Sequence, residues 1–261
     1  MALVSTPAVV LRTYRYSETS KVVRLATRDL GVQSAIAKGA LRPKSPFGAG
    51  LELLSEGIAQ LYHRDSRELQ TLAAFDISAL HHELASDVGR FAGASTLAEV
   101  MVKMAPPAPL PAAYDALVRG LEALTTGPEE AVDAVALRAL WLLLGVLGFE
   151  PSLATCVRDG APIEETVATP ILFSAADGGV LCARCATDGA GPPQSSNRLP
   201  PQAYRDLVAL NDPAAALPRL DAAHAAAHRR LVARFTRHHL GGADVLPALD
   251  FWERRVWVAA S

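Results

Sequence analysis

Ala37-Lys38-Gly39-Ala40-Leu41-Arg42-Pro43-Lys44-Ser45-Pro46-Phe47-Gly48 is the stretch on which the reading of this chain turns. Three cations, Lys38, Arg42 and Lys44, fall within seven residues with no acid among them. Gly39, Pro43 and Pro46 rule out a regular helix or a central strand, since proline fixes φ and has no amide proton to donate. The expectation is a stiff, extended cationic loop, a shape suited to a phosphate backbone. It is not a Walker-type phosphate loop, because G-x-x-x-x-G-K-[ST] is absent. The plain alternative is a basic loop that simply faces water.

On both sides of the loop the sequence reads as strands. Residues 8–14 and 21–27 are β-branched or aromatic, with a polar turn between them, and 32–37 alternates apolar with small or polar residues. Residues 53–62 and 69–77 supply two more. Five short strands over about 75 residues with one long loop suit a small barrel such as the OB-fold, whose loop-rimmed face binds single strands. Lys38, Arg42 and Lys44 are then expected to contact phosphates, with Arg12, Lys21 and Arg24 as neighbours on the barrel face. Tyr14 and Tyr16 are candidates for stacking on bases, or for packing against the barrel.

From Ala79 the period becomes helical. Leu80, Leu84, Val88, Phe91, Leu97, Val100 and Met101 recur at three- and four-residue steps as far as Pro106-Pro107-Ala108-Pro109. A second helix is expected over 111–124. A third, over 129–147, is apolar on nearly every side, which marks the central helix of a bundle. After the cysteine region described next, 186–200 reads as a loop by composition. Helices are expected over 201–210 and over about 212–240, with Pro218 as a candidate break. Residues 247–257 are too short to judge. His224 and His228, four apart, have the spacing of a helical metal pair but no third ligand at a motif position, so both are expected to be exposed.

The three cysteines, Cys156, Cys182 and Cys185, all fall in one short region, which does not fit a disulfide framework. Cys182-Ala183-Arg184-Cys185 is an intact knuckle, and Cys156-Val157-Arg158-Asp159 has the outline of a second. An expected hairpin, 171–174 with 178–181, would bring the two together. Two such turns aim their ligands at one tetrahedral centre, so one structural zinc on Cys156, Asp159, Cys182 and Cys185 is expected. The alternative is a metal-free hairpin held by Ile171, Leu172 and Phe173.

At 261 residues, half of them hydrophobic and 6% aromatic, the chain is globular and large enough for more than one core. Its net charge of −2 conceals a balance of +6 in residues 1–48 and −8 in the rest. A basic front on an acidic body suggests one module for a polyanion and a body that meets something else. The opening residues have no basic segment ahead of an apolar core, so no secretory leader is expected. The longest apolar run lies near 139–149, so no membrane-spanning helix is expected. The clustered thiols fit a reducing cytosol.

Taken in order, these pieces resemble the bacterial recombination-mediator and DNA repair family RecO. The resemblance rests on Val9-Val10-Leu11-Arg12, Glu18-Thr19-x-Lys21-Val22-Val23, Thr27-Arg28-x-x-Gly31 and Lys38-Gly39-Ala40-x-Arg42-x-Lys44-Ser45. It continues in Gly148-Phe149-x-Pro151 and Gly178-Gly179-x-Leu181-Cys182-x-x-Cys185. It covers residues 1 to about 240; residues 241–261 match poorly. The family pattern commonly has a cysteine where Asp159 stands.

The resemblance implies an α+β multidomain protein. An N-terminal OB-fold β-barrel (1–78) would bind single- and double-stranded DNA. An α-helical domain (79–150 and 191–261) would carry a zinc-finger-like cysteine hairpin (151–190). It implies strand annealing and recombinase loading onto DNA covered by single-strand-binding protein, in a bacterial cytoplasm and near the nucleoid. The implied partners are RecR and the tail of the single-strand-binding protein, with no membrane. An acidic tail with apolar ends needs an apolar groove rimmed by cations, and Leu231 and Phe235 among Arg229, Arg230, Arg234 and Arg237 are the candidates; the alternative is that both pack on the Trp141 helix. No G-x-S-x-G, H-E-x-x-H or nucleotide loop supports catalysis. The rival classes are a hydrolase or nuclease near the cysteines and His224/His228, and a pure protein scaffold.

Overall fold

A computed structural model describes residues 2–45, 47, 51–163, 171–187, 196–241, 245–255 and 257. The chain forms two compact units, Met1–Thr126 and Gly127–Ser261. The division expected at 78/79 falls inside the first of them.

The first unit opens with β1 (Ala2–Arg15), β2 (Lys21–Thr27), β3 (Gly31–Ala37), β4 (Glu56–His63) and β5 (Leu69–Ala79), which close into a barrel in the order β1-β2-β3-β5-β4. β1 is long because it serves two neighbours: Ala2 to Val9 pair with β4, and Ala8 to Arg15 with β2. The register shifts between Val10 and Arg12, and a bulge of this kind bends a strand around a barrel. β3 and β5 run parallel, Ser34 opposite Leu69 through Ala37 opposite Leu72. Inward positions carry Ala8, Val10, Val23, Leu25, Ala35, Ala37, Ala59, Leu61, Leu72 and Phe75, joined by Phe47 and Leu51. Small residues at four of these places leave room for the larger ones in a barrel of only five strands.

Three helices complete this unit: α1 (His82–Ser86), α2 (Val88–Met104) and α3 (Pro111–Thr126). The single helical run expected from Ala79 is thus two. Asp87 is extended, and its carboxylate accepts from the Arg90 amide at 2.7 Å, so it caps a fresh helix instead of continuing the old one. Val88 and Phe91, expected in the apolar stripe, are 47% and 39% exposed. The proline-rich linker between α2 and α3 lies against the start of β3. Gly31 has φ +71°, and a side chain there would come within 2.9 Å of the Ala108 carbonyl oxygen.

In the second unit, α4 (Val132–Leu144) ends in a wider turn, Gly145–Phe149. A small sheet follows, built from β6 (Ile171–Ser174) and β7 (Gly179–Leu181). The short α5 (Ala183–Thr187) comes next, then a third strand, β8 (Ser196–Leu199), on the far side of β6. The loop expected over 186–200 therefore ends in a strand; residues 188–195 lie outside the described residues. α6 (Pro201–Asn211), α7 (Ala222–His239) and α8 (Pro247–Arg254) complete the unit. α7 begins ten residues later than the expected start at Asp212. Pro213 and Pro218 interrupt the approach, and the Asp221 carboxylate caps the helix at the His224 amide, 2.8 Å away.

The run Glu129–Phe149 is long and apolar enough to cross a membrane, and half of its most apolar window is buried inside the unit. Leu137, Leu140, Trp141, Leu143 and Leu144 are each at most 1% exposed, against α6 and α7. Trp141, Phe173 and Phe235 meet at ring separations of 5.1 to 6.4 Å, the centre of this core.

Candidate nucleic-acid interface and metal centre

Strand register decides which barrel side chains share the outer surface. Directly opposed residues project to the same side of a sheet. One outward row runs Tyr14, Val22, Ile36, Thr71, Tyr62 and Leu3 across all five strands. Tyr14, Tyr62 and Leu3 are 45%, 38% and 53% exposed, so the barrel presents apolar and aromatic surface to water. The next row places Arg12 directly opposite Arg24, and Arg24 opposite Ser34. Like charges in facing positions weaken a sheet. Here the Arg12 guanidinium lies 5.3 Å from the Tyr14 ring centre. Arg24 donates from Nη1 to Ser34 Oγ at 2.9 Å, while its buried Nε has no partner.

The basic loop leaves the barrel at Ala37, beside the tyrosine row. It is a succession of turns, not the extended segment expected. The Arg42 amide donates to the Gly39 carbonyl and the Ser45 amide to the Arg42 carbonyl, both at 3.0 Å. Gly39 takes φ +74°, and Phe47, 3% exposed, anchors the far end in the barrel core. The Leu41 amide bonds the Thr19 carbonyl at 3.0 Å, tying the loop to the β1–β2 turn. Lys38, Arg42 and Lys44 are exposed, with no acidic partner among the described residues; Pro46 and Gly48 lie outside those residues. Lys21 differs, because its ammonium already meets Glu52 at 3.1 Å and is only 19% exposed. Tyr16 lies beyond the end of β1 and is 63% exposed. Tyr62 belongs to the aromatic row but has no local signal in the sequence; only the pairing of β4 with β1 and β5 brings it there.

In the second unit the ligand atoms of Cys156, Asp159, Cys182 and Cys185 all lie within 4.8 Å of one another. Backbone bonds set this geometry. The Gly160 amide returns to the Cys156 carbonyl at 2.9 Å, and the Cys185 amide donates to Cys182 Sγ at 3.4 Å. The first knuckle is fastened to the hairpin by bonds from the Val157 amide to Val180 and from the Val180 amide to Ser152, at 3.0 and 2.9 Å. Gly179 permits this approach, since a side chain there would come within 2.3 Å of the Ser152 carbonyl oxygen. Arg158 adds a two-pronged bond to Asp177 at 3.0 and 3.1 Å.

The Asp159 carboxylate stands among the thiols, with Oδ2 at 3.1 Å from Cys185 Sγ, 3.3 Å from Cys182 Sγ and 2.7 Å from Arg184 Nη2. Arg184, then the Ala161 amide and the Cys185 thiol, hold its pKa far below the usual carboxylate range. The same carboxylate, followed by burial, pushes the Cys185 thiol up to about 12. Burial also works to raise Cys156, but amides of Cys182, Arg158 and Asp159 outweigh it and hold that thiol below its ordinary value. Three thiols gathered around an anionic oxygen are a donor set that a divalent cation relieves. Zinc–thiolate bonds near 2.3 Å require just such crowding. The residues fit a closed, four-ligand metal site, with Arg184 orienting the carboxylate from outside.

Other expected sites divide differently. Leu231 and Phe235 are 2% and 1% exposed, and Phe235 packs on Trp141. Both belong to the core because they lie on the inward face of α7, so neither forms an apolar groove for a partner. Arg229 is buried and bonds Asp133 at 2.8 Å, Arg234 bonds Asn197 at 2.8 Å, and Arg237 pairs with Asp250 and Glu253. Arg230 is exposed, without a partner among the described residues. His224 is exposed and bonds Asp221 at 2.8 Å, but His228, expected at the surface, is 2% exposed with neither ring nitrogen bonded. The two therefore form no metal pair.

A small closed barrel with a cationic outer face, joined to a helical unit that carries a three-thiol hairpin, defines the class. Sequence comparison makes it particular. Residues 1–80 match the family described as Recombination protein O N terminal, and residues 85–245 match Recombination protein O C terminal. A DNA repair protein RecO of Anaeromyxobacter sp. (strain K) is 35% identical over 249 residues, covering 92% of this chain and 93% of the relative. That of Symbiobacterium thermophilum is 35% identical over 193 residues, 73% of this chain and 74% of its own. The chain belongs to the recombination protein O (RecO) family of DNA repair and recombination proteins.

Proposed function

We propose that this protein is a non-enzymatic, DNA-binding mediator of recombinational repair. It anneals single strands and helps load recombinase onto DNA covered by single-strand-binding protein, in a RecF-type pathway. The barrel is read as an OB-fold, on the strength of its strand order and the parallel β3–β5 pair that closes it. The observation that carries the function is the outward face of that barrel. Arg12 and Arg24 oppose one another with no acid between them, beside Tyr14 and next to a loop of three uncommitted cations. A phosphate placed there turns a repulsive pair into an attractive site. Bases of an unpaired strand then lie over Tyr14. Annealing follows from the same chemistry, because neutralising one strand's phosphates lowers its repulsion of a second.

Cys156, Asp159, Cys182 and Cys185 would hold one zinc, which supplies a rigid cross-link between knuckle and hairpin when bound and leaves no position open for catalysis. The partners are single- and double-stranded DNA, RecR and the tail of single-strand-binding protein. Arg230 and Arg234 are the candidates for the acidic part of that tail, without Leu231 and Phe235. The protein would act in the bacterial cytoplasm, at the nucleoid.

A salt titration of oligonucleotide binding tests the reading. Each phosphate contact contributes about 0.7 to the slope of log K against log salt for a single strand. Changing Lys38, Arg42 and Lys44 to Ala should flatten the slope by about 2. An unaltered slope would leave the loop as a solvated edge.

A further inference from the structure

The first unit contains a cleft of about 600 Å³ at the opposite end of the cationic face from the basic loop. That volume is within the range of small-molecule sites, roughly 300–1,000 Å³. Its floor is the start of β3, with Val32, Gln33 and Ser34. One wall is the β4–β5 turn and the other the proline-rich linker between α2 and α3. Arg24 lines it, so the cleft and the Arg12–Arg24 row share a side chain.

Both walls are fixed. Gln70, 2% exposed, accepts from the Arg64 amide at 2.9 Å and donates to the Arg64 carbonyl at 3.0 Å, which locks the β4–β5 turn. The linker is held by its close approach to Gly31. It offers the flat, exposed rings of Pro106, Pro107 and Pro109, surfaces against which a planar base packs without loss of conformational freedom. Asp65 and Glu68 on the opposite turn, with His63 and Arg67 beside them, offer acceptors and donors to the polar edge of a base, the N3–H and carbonyl oxygens of thymine included. At the mouth, Arg24 is held by its bond from Nη1 to Ser34 Oγ at 2.9 Å.

We propose that this cleft receives one unstacked base of a bound single strand, with its phosphate held outside by Arg12 and Arg24. The inference rests on the DNA-binding reading of the barrel face and adds to it a pocket that fixes the strand at one nucleotide. The strand runs from the basic loop, past Tyr14 and the Arg12–Arg24 pair, to the cleft. A base paired in a duplex cannot enter, so the pocket favours single strands over duplexes.

The test uses the full chain and two probes, a nine-nucleotide oligothymidylate and an abasic backbone of the same length. Two variants fill the cleft from different positions of one wall with aliphatic bulk, Ala105→Leu and Pro109→Leu. Each should weaken binding of the thymidylate about tenfold, the scale of one stacked base. Each should leave binding of the abasic backbone within about twofold of the unmodified protein, which also reports an intact barrel. Thymidylate binding unchanged in both variants, or an equal loss on both probes, overturns the inference while the DNA-binding reading stands. If the unmodified protein binds neither probe at low salt, both fall together.

Discussion

Two parts of this molecule carry clusters of arginine and lysine, yet they differ in what their cations already do. Along α7, Arg229, Arg234 and Arg237 each have a polar partner, and only Arg230 stands free among the described residues. On the barrel the balance is reversed. Among the described residues Lys38, Arg42 and Lys44 have no acid to meet, Arg12 lies over an aromatic ring and Arg24 has only the Ser34 hydroxyl; Lys21 and Arg28 are spent on Glu52 and Asp115. A count of charges therefore says little about binding capacity. What matters is which cations are committed within the fold, because a committed cation must give up a bond before it can take a phosphate.

The largest response is expected from the thiol cluster. Structural zinc in small domains binds with about 10–16 kcal/mol, much of it realised as folding. Removing metal with a chelator, or changing Cys156 to Ser, should open residues 151–163 and 171–187 to amide exchange while leaving barrel amides protected. Elemental analysis of protein purified without chelator should give close to one zinc per chain; a value near zero would leave the hairpin to its apolar packing. Next, Phe235→Ala should cost the second unit about 3–5 kcal/mol in denaturant unfolding, as for other buried aromatic side chains. Oligonucleotide binding should not change, since the inward face of α7 is core.

The smallest effect is a pH dependence. Burial lowers the His228 pKa, with Asp206 opposing and His224 adding to the shift. The native state then takes up its proton later than the unfolded chain does. Stability of the second unit is full above the ordinary histidine value near 6.5 and falls as the pH drops through it. His228→Leu should flatten that decline in melting temperature between about pH 7 and 5, with a remnant from His239, which burial also depresses. An unchanged slope would assign the decline elsewhere.

How much of this was legible in the sequence follows the range of the interactions. Five strands were visible between residues 8 and 77 because alternation is local. The first half of β1 was not, since Ala2 to Pro7 owe their strand conformation to β4, more than fifty residues away. The thiol cluster was legible from spacing, which alone brings two knuckles to one hairpin. β8 was not, because Ser196–Leu199 has little apolar character and is a strand only by pairing with β6. Tyr62 and the burial of His228 were likewise hidden, one fixed by register and the other by which side of α7 faces the core. The conformation of the basic loop was misread because Phe47, its buried anchor, draws the chain back through turns.

The proposed DNA-binding role requires that the barrel's cations that pair with no acid, and not those of α7, meet nucleic acid. The direct test compares the intact protein with two double variants, Arg12→Ala/Arg24→Ala and Arg230→Ala/Arg234→Ala, in single-strand binding across a salt series. The barrel variant should lose about tenfold per arginine and flatten the log–log slope by about 1.4, while the α7 variant matches the unmodified protein. A barrel variant that binds as well as the unmodified protein, or a loss confined to the α7 variant, would contradict it.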